Sequence, residues 1–310
     1  MSRIKKYQAK IFRVYVKFFL RSSLNIKLGR IFFGNDSGIY SNLIGEYILK
    51  RDRKKVAKNG YKKSQRISSS NHPLKLDGFL LDTSIVGSTV IEKISQQWDE
   101  YCKDKPIPED GRFQLSSKED KQLILKHFPN MSSCINEAVQ GIIEDYYQCH
   151  MNILNYHIYR IYGNEDDSNQ LLYGSTATWH NDGSTAESLK LFFMLSDIKD
   201  SRDGPTRVLD IDQTRQVIKS GRFHFPDKES TTAKHIHSKF KPQSMVGKKG
   251  TAFIVRTNQC LHSASVPEEG RTRDLLVFYI TSSSKQRTIK EQIGNANFEQ
   301  ILGLNRLKLQ

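Results

Sequence analysis

The chain has 310 residues, 37% of them hydrophobic and 26% charged, with a formal net charge of +15. This composition excludes global disorder and suits one large domain, or a domain with an extension. The four cysteines form no C-x-x-C pair, which argues against a structural zinc site or a disulfide framework and fits a reducing compartment such as the cytoplasm; no apolar run is long enough to span a membrane.

The charge is uneven. Residues 1–34 carry nine Lys/Arg and no acid, which leaves +6 on the remainder. Within the first twenty residues Arg3, Lys6, Lys10, Arg13 and Lys17 recur at steps of three or four, and Ile4, Tyr7, Ile11, Tyr15 and Phe18 keep the same rhythm. This predicts an amphipathic helix over 1–20, suited to peripheral contact with an anionic membrane or to packing on the main domain. A mitochondrial presequence is a lesser reading; a secretory signal is not, since Arg13 and Lys17 interrupt its apolar core. Residues 50–73 are charge-dense, then Ser-rich, then closed by Pro73, and read as a linker or mobile loop.

From "LKLDGFLLDTS", beginning at Leu74, the chain becomes regular. Val90, Ile91, Ile94, Trp98 and Tyr101 predict a helix over 88–103, Ser117-x-x-Asp120 predicts a capping box opening another, and residues 132–148 predict a third. After residue 150 the texture is that of strands: "MNILNYHIYRIY", "QLLYGSTATWH", "SLKLFFMLSDI", "GPTRVLDI", "GTAFIVRT" and "RDLLVFYITSS". Helices followed by strands with Gly/Pro turns give an α+β chain whose second half is a sandwich or barrel.

Within that half, "TATWHNDG" places His180 and Asp182 two residues apart, so on an extended segment both leave the same face. An imidazole and a carboxylate suit Fe(II), and a facial triad needs one more histidine. His224, His235 and His237 lie in a polar, Lys-rich stretch that reads as a loop, whereas His262 sits where the apolar run "TAFIVRTNQCL" gives out. His262 is the third ligand by this reading. Eleven residues on, Arg273 abuts the last strand, where its planar fork suits a dicarboxylate. Arg271, nearer the Glu-Glu-Gly turn, reads as a solvated charge. Tyr156 and Arg160 share parity on the strand before the metal strand and are candidates to touch cosubstrate or substrate, with an outer-face role as the alternative.

The order His180-x-Asp182, His262, Arg273 resembles the phytanoyl-CoA dioxygenase family of Fe(II)/2-oxoglutarate-dependent oxygenases. "LKLFFMLSDIKDSRDGPTRVL" and "GTAFIVRTNQCLHSAS" are similar to that family's central and distal-histidine strands. The resemblance covers about residues 75–285. It departs after "GPTRVL", where the family's Gly-Ser-His turn is replaced by "DIDQTRQV". It implies a double-stranded β-helix (jelly-roll) barrel flanked by N-terminal helices. The implied division is a basic extension and linker over 1–75, the oxygenase domain over 76–290 and a tail over 291–310. It also implies Fe(II) on His180, Asp182 and His262, 2-oxoglutarate as cosubstrate with its distal carboxylate on Arg273, and O2 as oxidant. An acid at Asp182 favours hydroxylation over halogenation, since related halogenases have a small residue there. The substrate class is a small molecule, anionic or carrier-bound. A nucleic-acid demethylase and a non-catalytic binding module are the competing classes; the first lacks its widely spaced arginine pair here, so no nucleic acid is expected, and the second would have lost a ligand.

Overall fold

The computed structural model describes residues 38–59, 71–82, 88–163, 177–182, 187–220 and 231–296, with positions 24, 28 and 29. The predicted helix over 1–20, His224 and most of "QLLYGSTATWH" lie outside the described residues.

Helix α1 (Gly38–Lys58) buries Ile44, Ile48, Asp52 and Val56, one residue per turn along a single face. Asp52 accepts from Ser282 Oγ at 3.0 Å, and Arg53 Nε donates to the Tyr147 carbonyl at 2.7 Å. Residues 50–58, expected as linker, are therefore helix docked on the domain; the buried aliphatics among the charges decide it. Helix α2 (Pro73–Leu76) follows and turns at Gly78 into strand β1 (Phe79–Asp82). Gly78 has φ +85°, and a Cβ there would lie 2.3 Å from Cys260 Sγ. Only glycine combines that backbone with that approach.

Helix α3 (Ser88–Cys102) presents Ile91, Ile94 and Trp98 inward, as their spacing predicts. It is followed by strand β2 (Arg112–Ser116), helix α4 (Lys121–His127), a short 3-10 turn and helix α5 (Glu137–Tyr147). The expected capping box at Ser117 does not form. Ser117 Oγ pairs instead with Asn155, Asp120 is the N-cap residue, and its carboxylate accepts from the Ser116 amide at 3.0 Å. α5 is capped as such helices usually are, Asn136 accepting from the Val139 amide at 3.0 Å.

The remaining strands are β3 (His150–Tyr162), β4 (Leu189–Met194), β5 (Thr206–Val208), β6 (Gln243–Met245), β7 (Ala252–Val255), β8 (His262–Ala264) and β9 (Thr272–Ser283). Helices α6 (Ile211–Lys219) and α7 (Thr231–Lys239) interrupt them after β5, and α8 (Ile289–Gly294) follows β9. One antiparallel sheet has the order β1-β7-β4-β9-β3-β2, and a smaller one β6-β5-β8. The chain passes from large sheet to small and back between β4 and β9, the path of a double-stranded β-helix.

Three apolar clusters define the layers. The first joins α3, α5 and the outer face of the large sheet, through Trp98, Ile143, Tyr147, Tyr156 and Phe278. The second fills the space between the sheets with Phe192, Val208, Met245, Phe253, Leu275 and Val277. The third packs α6 and α7 on the back of the small sheet, around Trp179, Val217 and Ile236. α6 begins in the "DIDQTRQV" stretch that follows "GPTRVL". Asp210 caps it, accepting from the Gln213 amide at 2.6 Å. Among the described residues no helix is long and apolar enough to cross a membrane. All four cysteines are free and buried, and burial pushes each thiol up to about 12.

A register shift between Ile153 and Asn155 in β3 exchanges the two faces of that strand. Before it, Met151 and Ile153 face the helices; after it, Tyr156 and Ile158 do. His157, Tyr159 and Ile161 are left facing inward.

Candidate metal centre

His180 and His262 form an isolated antiparallel bridge, each amide donating to the other's carbonyl at 3.0 Å. In such a pair the two side chains leave the same face, and the ring centroids lie 4.2 Å apart. The Asp182 amide donates to Thr257 O at 2.9 Å, which carries its carboxylate to the same side. Its Oδ1 lies 3.9 Å from His180 Nε2 and 4.0 Å from His262 Nε2. One ligand atom from each of the three residues falls within 4.8 Å of the others. His262 opens β8 rather than ending a strand, because a turn over Arg256–Cys260 separates it from β7.

Both imidazoles are oriented from behind. His180 Nδ1 donates to Thr178 O at 2.8 Å, and His262 Nδ1 to Cys260 O at 3.1 Å. This tautomer leaves each Nε2 lone pair directed at the common point, as a metal-binding histidine requires. Burial lowers both histidines, His262 to about 3, so each is neutral and able to ligate near pH 7. Burial opposes ionisation of Asp182, but the Lys190 ammonium and the two imidazoles outweigh it and hold the carboxyl well below the usual range. Two neutral nitrogens and one carboxylate, buried and convergent, fit a divalent first-row cation with positions left open.

Lys190, the one charged residue in the apolar β4, is the side chain that sequence reasoning missed. Its Nζ lies 2.7 Å from Asp182 Oδ2 and 4.8 Å from the Tyr279 ring centroid. Burial lowers the ammonium's pKa, but Asp182 and then Tyr279 reverse that and raise it, so it stays charged. A lone lysine in "SLKLFFML" is the signal that could have marked it, since an unpaired charge is not buried there.

A cavity of about 60 Å³ adjoins the histidines and is also lined by Lys190, Tyr159, Phe192, Arg112 and Arg273. Arg273 is 2% exposed. Its Nη1 donates to Ser265 O at 3.1 Å and to Gly204 O, while its Nε is buried with no hydrogen-bond partner among the described residues. The structure thus brings His180, His262 and Arg273 to one cavity, with Asp182 grouped with the two histidines beside it.

It does not bring Tyr156 and Arg160 there. They do share a face, as their parity requires, but the bulge in β3 makes it the helix-packed one. Tyr156 is buried against Phe278. Arg160 makes a two-point pair with Asp274, at 2.7 and 3.1 Å, and reaches Asp99 on α3. Trp98 Nε1 completes the Asp274 carboxylate at 3.0 Å. His235 and His237, expected in a loop, lie on α7; His237 faces Arg207 at 3.4 Å, away from the cavity. Arg271 is paired with Asp203 at 2.6 Å rather than simply solvated.

No family model matches the chain, and no curated protein does. Among solved structures it is similar to EctD from S. alaskensis with 2-oxoglutarate and 5-hydroxyectoine, at 13% identity and TM-score 0.48, covering 72% of this chain and 78% of that one. It is similar to the non-heme alpha ketoglutarate dependent carbocyclase SnoK from nogalamycin biosynthesis, at 12% identity and TM-score 0.49, covering 71% and 86%. A third is HygX from Streptomyces hygroscopicus with nickel and 2-oxoglutarate bound, at 15% identity and TM-score 0.43, covering 67% and 84%. Likeness of this degree leaves the chemistry to be argued from the side chains of this chain.

Proposed function

We propose that the protein is an Fe(II)- and 2-oxoglutarate-dependent dioxygenase that hydroxylates a small molecule, anionic or carrier-bound. The observation that carries this reading is the convergence of ligand atoms of His180, Asp182 and His262 within 4.8 Å, beside a cavity that the two histidines and the buried Arg273 line. With Fe(II), 2-oxoglutarate and O2 bound, such a site supplies the oxidation, one oxygen atom going to the substrate and the other into succinate as CO2 leaves.

The residues of the chain do the rest. His180 and His262 present Nε2, their Nδ1 protons held on carbonyls so that neither ring turns. Asp182 presents Oδ1 while Lys190 holds Oδ2. Arg273 receives the distal carboxylate of the cosubstrate with the nitrogens that its backbone partners leave free. Phe192 and Ile161 line the walls and limit water around the reacting atoms.

The test is succinate release with Fe(II), 2-oxoglutarate and ascorbate, with and without a panel of anionic metabolites, for the parent and for His180→Ala/Asp182→Ala. Turnover in the parent that the double variant lacks supports the reading. A parent that neither turns over 2-oxoglutarate nor binds it in a metal-dependent way overturns it.

A further inference from the structure

We infer that Arg112 is a second arm of the cosubstrate clamp and selects keto acids that carry a distal carboxylate. The inference rests on the dioxygenase reading and adds a residue from β2, far in the chain from the 180–182 segment, β8 and β9 that carry the metal ligands and Arg273.

The sheet register places it. Arg112 on β2 pairs with Ile161 on β3, and Ile161 pairs with Arg273 on β9. The three form one cross-strand row, so the two arginine backbones lie roughly 10 Å apart, two strand spacings. Both side chains line the metal-site cavity, and two arginines at that spacing can meet over a single small anion. Lys190 stands at the other end: it pairs with Tyr279, six residues along β9 from Arg273. The cavity therefore runs from a metal end to an end flanked by two guanidinium groups.

Arg112 is built for an anion that the chain itself does not provide. Its guanidinium stands over the Tyr159 ring at 4.9 Å and pairs with Gln114 Oε1, a neutral acceptor. Its Nε, like that of Arg273, is buried with no hydrogen-bond partner among the described residues. No carboxylate pairs with either guanidinium among the described residues; the nearby acid, Asp274, is taken by Arg160 and Trp98 on the other face. Two like charges facing one cavity repel, and Arg112 is among the groups that lower the Arg273 guanidinium, after burial, the largest cause. A dianion with one carboxylate on the metal and the other between the arginines removes that repulsion. A keto acid without the second carboxylate does not.

The test is calorimetric binding of 2-oxoglutarate and of 2-oxobutyrate to the Co(II)-loaded full-length protein, for the parent, Arg112→Met and Arg112→Lys. Expected is a loss of 2-oxoglutarate affinity of roughly 10- to 100-fold in Arg112→Met, a charge-assisted pair being removed. Arg112→Lys should recover part of it, and 2-oxobutyrate affinity and Co(II) affinity should be unchanged in both variants. A merely structural Arg112 would move both keto acids together, and that result overturns the inference, as does equal 2-oxoglutarate binding by parent and Arg112→Met. Arg112 lies on an edge strand, and Arg112→Lys keeps its charge, so a fold lost on truncation still leaves a variant that decides the matter. A parent that binds Co(II) but no 2-oxoglutarate refutes the dioxygenase reading instead, and is told apart by needing no variant.

Discussion

Lys190→Met is expected to weaken the metal-free protein and to make it lean on the metal. The ammonium lies 2.7 Å from Asp182 Oδ2, with the two side chains 13% and 20% exposed. At that separation and an effective dielectric of about 20, the attraction is ~6 kcal/mol. Desolvation of both groups cancels much of it, and removing one partner of such a pair typically costs ~3–5 kcal/mol, because a buried charge is left alone. At ~2.1 cal/mol/K of unfolding entropy per residue, a chain of this length has ~0.65 kcal/mol/K, so the metal-free Tm should fall by ~5–8 °C. A divalent cation between the imidazoles returns the positive charge that Lys190 supplied. Saturating Co(II) should therefore raise the Tm of Lys190→Met by more than it raises that of the parent. Scanning calorimetry of both proteins, chelated and Co(II)-saturated, reads all four values. Equal metal-free Tm values, or equal gains on adding Co(II), would refute the view that Lys190 stands in for part of the metal's charge.

Three further outcomes follow from the packing and the buried charges. His157 and His262 are each lowered to about 3, His157 by burial, Lys190 and Arg112, and His262 by burial first. The unfolded chain, with histidines near 6.5, binds more protons below that pH, so stability is full above about 6.5 and falls as pH drops toward 3, by ~2 kcal/mol per group at pH 5; urea titrations of the metal-free protein that stay flat down to pH 5 would contradict this. Arg160→Met should destabilise by ~3–5 kcal/mol, since it strands the buried Asp274, yet leave 2-oxoglutarate affinity unchanged; a selective loss of that affinity would return Arg160 to the cavity. Gly78→Ala should cost more than ~2 kcal/mol, because the added Cβ meets Cys260 Sγ and Ile211 Cγ1, at 2.3 and 2.8 Å, on a positive-φ backbone; a urea midpoint equal to the parent's would show that the β1 turn relaxes.

What the sequence by itself determined is local. The helical spacing of Ile91, Ile94 and Trp98, the order of helices before strands, and the parity of His180 and Asp182 all depend on neighbours a few residues away. Periodicity and backbone alternation express such relations directly. The docked helix α1 was hidden because four buried positions, Ile44, Ile48, Asp52 and Val56, are outnumbered by charges that only a partner surface leaves in water. Tertiary structure decided the remainder. Parity says that Tyr156 and Arg160 share a face, but a bulge in β3 chooses which face, and a bulge arises from pairing with β9. Cross-strand register sets Arg112 in one row with Arg273, across Ile161 and 161 residues apart in the chain, and the approach of the 180–182 segment to β4 sets Lys190 against Asp182. A lone lysine in an apolar strand shows that a partner is needed; only the meeting of strands distant in sequence says which one. The same meeting turns His180 and His262, each unremarkable where it stands, into a bridged pair with both Nε2 atoms facing one carboxylate oxygen.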